Sequence, residues 1–279
     1  MKKDLTEKIF VLLCYLSMLF GLFFLASLFF SIISDGISSL SLSFLSSYPS
    51  RFPEKSGIKP AIFGSLYVSL FMIIISVPIG VASAVYLEEY SRKSGLSRVI
   101  ELSIANLAAT PSIVFGILGN ALFVMILGLG RSVISGALTL TLLALPTIII
   151  TSRESLRSIP NSVREASYAM GATRWQTVQY QLLPAAIPGI MTGIILSLSR
   201  IIGETAPLIM IGALTFITFL PVSPLDPFTV LPIQIFNWIS RPQEGFHRLA
   251  AATIIFLLVF LLSLNSVAVW LRNKYQLKW

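Results

Sequence analysis

IFGSLYVSLFMIIISVPIGVASAVY, residues 62–86, contains no charged side chain. A bilayer core about 30 Å thick needs roughly 20 apolar residues in a helix, because a helix rises 1.5 Å per residue and satisfies its own backbone where there is no water. The stretch is long enough to cross a membrane. Runs of the same kind lie near 10–33, 99–127, 133–151, 186–216 and 249–271, which makes about six transmembrane helices and an all-α integral membrane protein. Only 11% of the chain is charged and 55% is hydrophobic, with a mean hydropathy of +0.86. Soluble domains carry about 25% charge, so an ordinary soluble enzyme is excluded. The leading Met1-Lys2-Lys3 imitates a signal peptide, but the run behind it exceeds the roughly 7–15 residues of such a core and lacks a small-x-small exit. It reads as a retained helix.

The basic residues then orient the chain. Thirteen Lys and Arg fall in segments on the side of the N-terminus, among them Lys2, Lys8, Arg98, Arg153, Arg164 and Arg272; six fall opposite, Arg51, Lys55, Lys59, Arg131, Arg241 and Arg248. The excess places both termini in the cytoplasm. These charges are scattered between apolar runs and form no patch for nucleic acid. The single Cys14 permits no internal disulfide, and the single His247 makes a histidine metal site improbable. No Gly-Lys pair occurs, so there is no P-loop, and the energy for any transport comes from another chain or from an ion gradient. The external stretches 34–60, rich in Ser, and 219–248, rich in Pro, read as irregular loops or short surface helices. The chain divides into 1–60, a first helix and its external loop, and 61–279, a transmembrane domain with a cytoplasmic loop at 153–183.

That loop has its own helix punctuation. Pro160 stops what precedes it, Ser162 and Glu165 have capping-box spacing, and Val163, Ala166, Ser167 and Met170 make one modest stripe. Gly171 stands where a left-handed residue would close the helix. Thr173 and Gln176 repeat the box and open a second helix running to Pro184. Spacing alone fits either a rigid knob that docks on a partner or an amphipathic hairpin on the lipid surface.

Within the fifth run lies Arg200, which costs at least about 2.5–3.5 kcal/mol in hydrocarbon and is therefore a functional candidate. Glu204 follows at i+4, with Gly203 between them and Thr205 and Pro207 beyond. A helix broken beside a charge is a common way of building a transport site. A guanidinium fork fits two oxygens of an oxyanion, and a carboxylate accepts a hydrogen bond from P–OH, which sulfate does not offer. The other reading is a structural ion pair. Arg153 and Glu154 at the membrane edge form either a cytoplasmic gate or a snorkelling pair. Glu88, Glu89 and Arg92 read as a solvated face, and Pro111 as a kink in the third run.

Two strings resemble known families. Glu165-Ala166-Ser167-Tyr168-Ala169-Met170-Gly171, then Gln181-Leu182-Leu183-Pro184 nine residues on, resembles the EAA loop of ABC importer permeases, with Ser167 and Gln181 departing from the usual Ala and Ile. Ser199-Arg200-Ile201-Ile202-Gly203-Glu204-Thr205-Ala206-Pro207-Leu208 is similar to the signature of PstA-type phosphate permeases, as are Pro111-Ser112-Ile113-Val114-Phe115-Gly116, Leu231-Pro232-Ile233-Gln234-Ile235 and the tail from Arg272 to Trp279. The resemblance covers about residues 60–279. It implies a MetI-like permease fold in a bacterial inner membrane and no catalytic residue. It assigns Glu165, Ala166 and Gly171 to coupling with an ATPase, and Arg200, Glu204 and Thr205 to phosphate. It further implies a PstC-like second permease, two PstB-like ATPase copies that hold ATP and Mg, and a PstS-like periplasmic binding protein. A permease for sulfate or molybdate, or an ion-coupled carrier, are the alternatives.

Overall fold

The computed structural model describes residues 2–91 and 94–274. Arg92, Lys93 and the last five positions of the tail lie outside the described residues. The helices are α1 (Lys2–Gly36), α2 (Leu42–Ser46), α3 (Lys59–Val85), α4 (Gly95–Ala108), α5 (Ser112–Gly119), α6 (Val133–Arg157), α7 (Asn161–Ala169), α8 (Arg174–Thr177), α9 (Leu183–Ile202), α10 (Ala206–Ile211), α11 (Leu231–Ile239) and α12 (Glu244–Lys274). Five stretches are long and apolar enough to cross a membrane, and α4 with α5 makes a sixth that is bent by 103°. The bend falls at Pro111, as the sequence predicts. The Thr110 amide ends α4 on the Leu107 carbonyl, and Pro111 takes an extended ψ of 138° before α5 begins.

The fifth span differs from its expected limits at both ends. The helix opened by Thr173 does not stop at Pro184 but runs unbroken from Arg174 to Ile202. A proline removes one amide and crowds the carbonyl four residues back. Here a π segment, Val178–Leu182, widens the ladder just before it, and the Leu183 amide bonds the Val178 carbonyl five residues back. The slack absorbs the proline. At the other end the helix stops at Ile202 instead of continuing to 216; α10 ends at Gly212 with φ 84°, and 213–230 is irregular.

In lipid no water drives helices together, so they meet through small residues and close packing. α6 lies between α3 and α9. A methyl group added at Gly80 of α3 would sit 2.6 Å from Ile148 Cγ2 of α6, and Gly189 and Gly193 of α9 face Ser155 and Thr151 of α6 as closely. Met72, Ile148, Leu156, Leu182, Ile201, Ile211 and Phe228 fill the core between them. The stretches 34–60 and 219–248 hold the short helices α2 and α11 between irregular segments. They fold together into a cap with its own core of Phe44, Ile58, Leu231, Trp238 and Phe246. Ser41 caps α2 through the Phe44 amide at 3.1 Å, the Ile58 amide bonds the Phe44 carbonyl, and Ser65 Oγ receives the Leu231 amide at 2.9 Å. In the same cap the amides of Ser223 and Val222 hold the Asp226 carboxyl below its ordinary value. α1 stands outside this bundle with its apolar side chains exposed, and meets α12 where Gly36 lies against the backbone of Ala251 and Ala252.

Candidate functional site

α9 carries Arg200 to its last turn, and the chain breaks there because Gly203 gives up the helix and Pro207 cannot donate into it. Gly193 on Thr151 and Gly189 on Ser155 share one antiparallel register. Extended to Arg200, that register sets it beside about residue 144 of α6, some nine residues or about 14 Å outward of Arg153. The break therefore falls near the middle of a helix that spans the bilayer.

Two interrupted spans meet there. Gly116 of α5 packs on Pro207 of α10 so tightly that a methyl group would lie 2.6 Å from the Pro207 Cα. Pro111 and Gly203 each lie within about one and a half turns of that contact, so the two breaks are neighbours. Arg200 Nε stands 3.9 Å from Glu204 Oε1, beyond hydrogen-bond range, and 61% of the Arg200 side chain is exposed, against 20% for Glu204. Among the described residues the guanidinium donates no hydrogen bond. Thr205 occupies the N-cap position of α10 without using its hydroxyl there. Glu204 is thus less a neutralising partner than the sequence expectation made it, because the break carries it off the face of α9. The three residues thus bring a fork, a carboxylate and an unused hydroxyl to the break between α9 and α10.

One contact escaped sequence reading. Ser199 Oγ donates to Asn265 Oδ1 of α12 at 2.6 Å, which locks the turn bearing Arg200 to the last span. An asparagine inside the apolar run 249–271 was the available signal.

In the 153–183 loop, α7 begins at Asn161 directly after Pro160, and no side chain caps it. The Ser162–Glu165 box does not form, since starting the helix one residue earlier takes Ser162 out of the cap position. The Thr173–Gln176 box does form, with Thr173 N to Gln176 Oε1 at 2.8 Å and Gln176 N to Thr173 Oγ1 at 3.3 Å. Gly171 has φ 81°, the left-handed closure its position predicted. Only half of the expected stripe is what α7 buries. Ala166 and Met170 are exposed with Glu165, while Val163, Arg164 and Ser167 turn inward, Ser167 bonding Thr177 at 2.8 Å.

Arg164 accounts for the difference. Its Nη2 meets Glu89 Oε1 at 2.7 Å and the Leu156 carbonyl at 3.0 Å, and its Nη1 meets the Ile159 carbonyl at 2.9 Å. Glu89 is nearly buried, its side chain 6% exposed. Arg153 bonds Glu88 and Glu101, each at 2.8 Å, and not the exposed Glu154. Glu88 and Glu89 are therefore ion-paired across 65 and 75 positions and are not a solvated face.

The model of the family described as binding-protein-dependent transport system inner membrane component matches residues 76–276. The chain is 35% identical to the phosphate transport system permease protein PstA of Yersinia pestis over 94% of this chain and 88% of that one. It is 32% identical to the probable ABC transporter permease protein YqgI of Bacillus subtilis over 91% and 90%. The fold superposes on a chain of the inward-facing MetNI methionine ABC transporter with a TM-score of 0.62, at 19% identity, over 79% of this chain and 96% of that one. It also matches a chain of a bacterial alginate ABC transporter with a TM-score of 0.69, at 16% identity, over 95% and 94%.

Proposed function

Because the chain belongs to the family of binding-protein-dependent transport system inner membrane components, we propose that it forms half of the pore of an ATP-driven phosphate importer. As a permease subunit it works with an ATPase and a binding protein, and ATP hydrolysis belongs to the partner. The identities we infer are a PstC-like second permease, a PstB-like ATPase pair holding ATP and Mg, and a PstS-like binding protein, with both termini of this chain in the cytoplasm. The curated PstA relatives support phosphate as the cargo.

The observation that carries the reading is the open guanidinium of Arg200 at the paired helix breaks, its donors unused beside the free Thr205 hydroxyl. A fixed positive fork with unused donors, placed where two spans break, suits an oxyanion. Glu204 adds an acceptor for a protonated oxygen, which favours hydrogen phosphate over sulfate. Glu165, Ala166 and Gly171, on the outward side of α7 and its turn, dock on the ATPase, and the unbroken helix from Arg174 to Ile202 connects that dock to the break.

Competition in vesicles of the assembled complex tests the cargo. Excess sulfate should leave ATP-driven uptake of labelled phosphate nearly unchanged. Equal displacement by sulfate or molybdate would move the protein to another oxyanion and remove the role of Glu204.

A further inference from the structure

Three helices converge on Arg153. Its guanidinium is forked: Nε donates to Glu88 Oε2 in the π segment Tyr86–Tyr90 that closes the second span, and Nη2 donates to Glu101 Oε1 of α4. The next residue of the same π segment, Glu89, holds Arg164 of α7. These bridges line one cavity of about 940 Å³, together with Arg157, Asn161 and Arg174.

α4 is weakly held apart from these contacts. Ser97 is its one buried residue among those described, bonded by Ser91 at 2.9 Å. Glu101 remains 39% exposed while bonded, so its bridge to Arg153 breaks and re-forms at small desolvation cost. A bridge serving only stability gains nothing over an apolar contact of the same shape. At its other end α4 turns through Pro111 into α5, whose Gly116 presses on Pro207 next to Arg200. A contiguous set of contacts thus leads from the docking helix through Arg164 and Glu89 to the π segment. It continues through Glu88, Arg153 and Glu101 to α4, and then to α5 and the break.

We propose that Arg153 is a positioning residue that sets the angle of α4 against the docking loop, and through α5 the width of the break beside Arg200. This rests on the coupling role of α7 given above. It supplies a second route from the loop to the site, parallel to the continuous helix Arg174–Ile202. Movement of α7 shifts Glu89 and the π segment, Arg153 redistributes between its two carboxylates, and α4 swings at Pro111.

The test is phosphate moved per ATP hydrolysed, both measured in the same proteoliposomes holding the assembled complex. Arg153→Lys keeps the charge but offers a point donor in place of a fork, and Glu101→Gln takes the charge out of the link to α4 alone, leaving a neutral acceptor. Each should lower the ratio by roughly two- to thirtyfold, with hydrolysis and assembly kept within about twofold of wild type. The triple reversal R153E/E88R/E101R restores the fork with opposite signs and should recover the ratio. An unchanged ratio in R153K and E101Q would overturn the proposal. So would a parallel loss of uptake and hydrolysis that the triple reversal does not relieve, the mark of a packing role. Absence of phosphate uptake by the wild-type complex is a different failure: it strikes the cargo assignment, and the ratio for the anion that is moved still tests Arg153.

Discussion

The two ends of the helix from Arg174 to Ile202 treat their charges in opposite ways. At the Arg174 end each carboxylate of Glu88, Glu89 and Glu101 meets an arginine at 2.7 or 2.8 Å, and α8 carries a complete capping box. At the outer end Arg200 stands 3.9 Å from Glu204 and leaves its donors unused. Unmatched polar groups away from bulk water are expensive. Selection for stability alone would have matched Arg200 as well as it matched Arg164. The lower end is held in shape by matched pairs, and the upper end keeps a guanidinium with unused donors.

Exchanging the properties of the two ends should break the comparison, starting with the largest effect. Arg200→Gln removes the fork while leaving the polar stem. Labelled uptake should fall about a hundredfold, the loss of one charge-assisted bidentate contact, while the four-part complex still co-purifies. Normal uptake would reduce Arg200 to packing. Glu89→Gln should do the reverse, because it strands Arg164 in a nearly buried position. Removing one partner of a buried pair costs about 3–5 kcal/mol, which should appear as a clearly lowered unfolding midpoint of the purified protein. Gly171→Val forces a β-branched side chain into the left-handed region at about 1–2 kcal/mol; with open space around Gly171, no clash confuses the result. ATPase association should weaken, and unchanged pull-down would separate the turn from docking. The smallest effect is Thr173→Ala, about 1 kcal/mol from the lost cap. It should be visible as faster amide exchange at Gln176 and silent in transport at moderate temperature.

The sequence made the spans legible because charge-free runs are governed by one physical rule, the cost of unpaired backbone and charge in hydrocarbon. Gly171 and the Thr173–Gln176 box were legible for a similar reason, since both are local and three residues suffice to state them. Pro111 gave the bend its place but not its 103°. Pro184 misled, because a proline normally ends a helix and the π segment that accommodates it leaves no mark in composition. Arg164 was placed off the buried stripe because its partner lies 75 positions away in another span. The same separation hid Glu88 and Glu101 from Arg153. At the candidate site, residue types and spacing singled out Arg200 and Glu204 as candidates and the resemblance added Thr205, while the looseness of the Arg200–Glu204 pair and the neighbouring break at Pro111 exist only in three dimensions.

α1 has an implication for biosynthesis. It packs at Gly36 on Ala251 and Ala252 of α12, so α1 finds this partner more than two hundred residues later in synthesis. At roughly 5–20 residues per second that interval is roughly 10–40 s. During it α1 remains a solitary helix in lipid, which its Phe- and Leu-rich surface tolerates. Docking of α1 on α12 then comes only after the helices between them have been made, and a chain cut short before α12 leaves α1 without that partner.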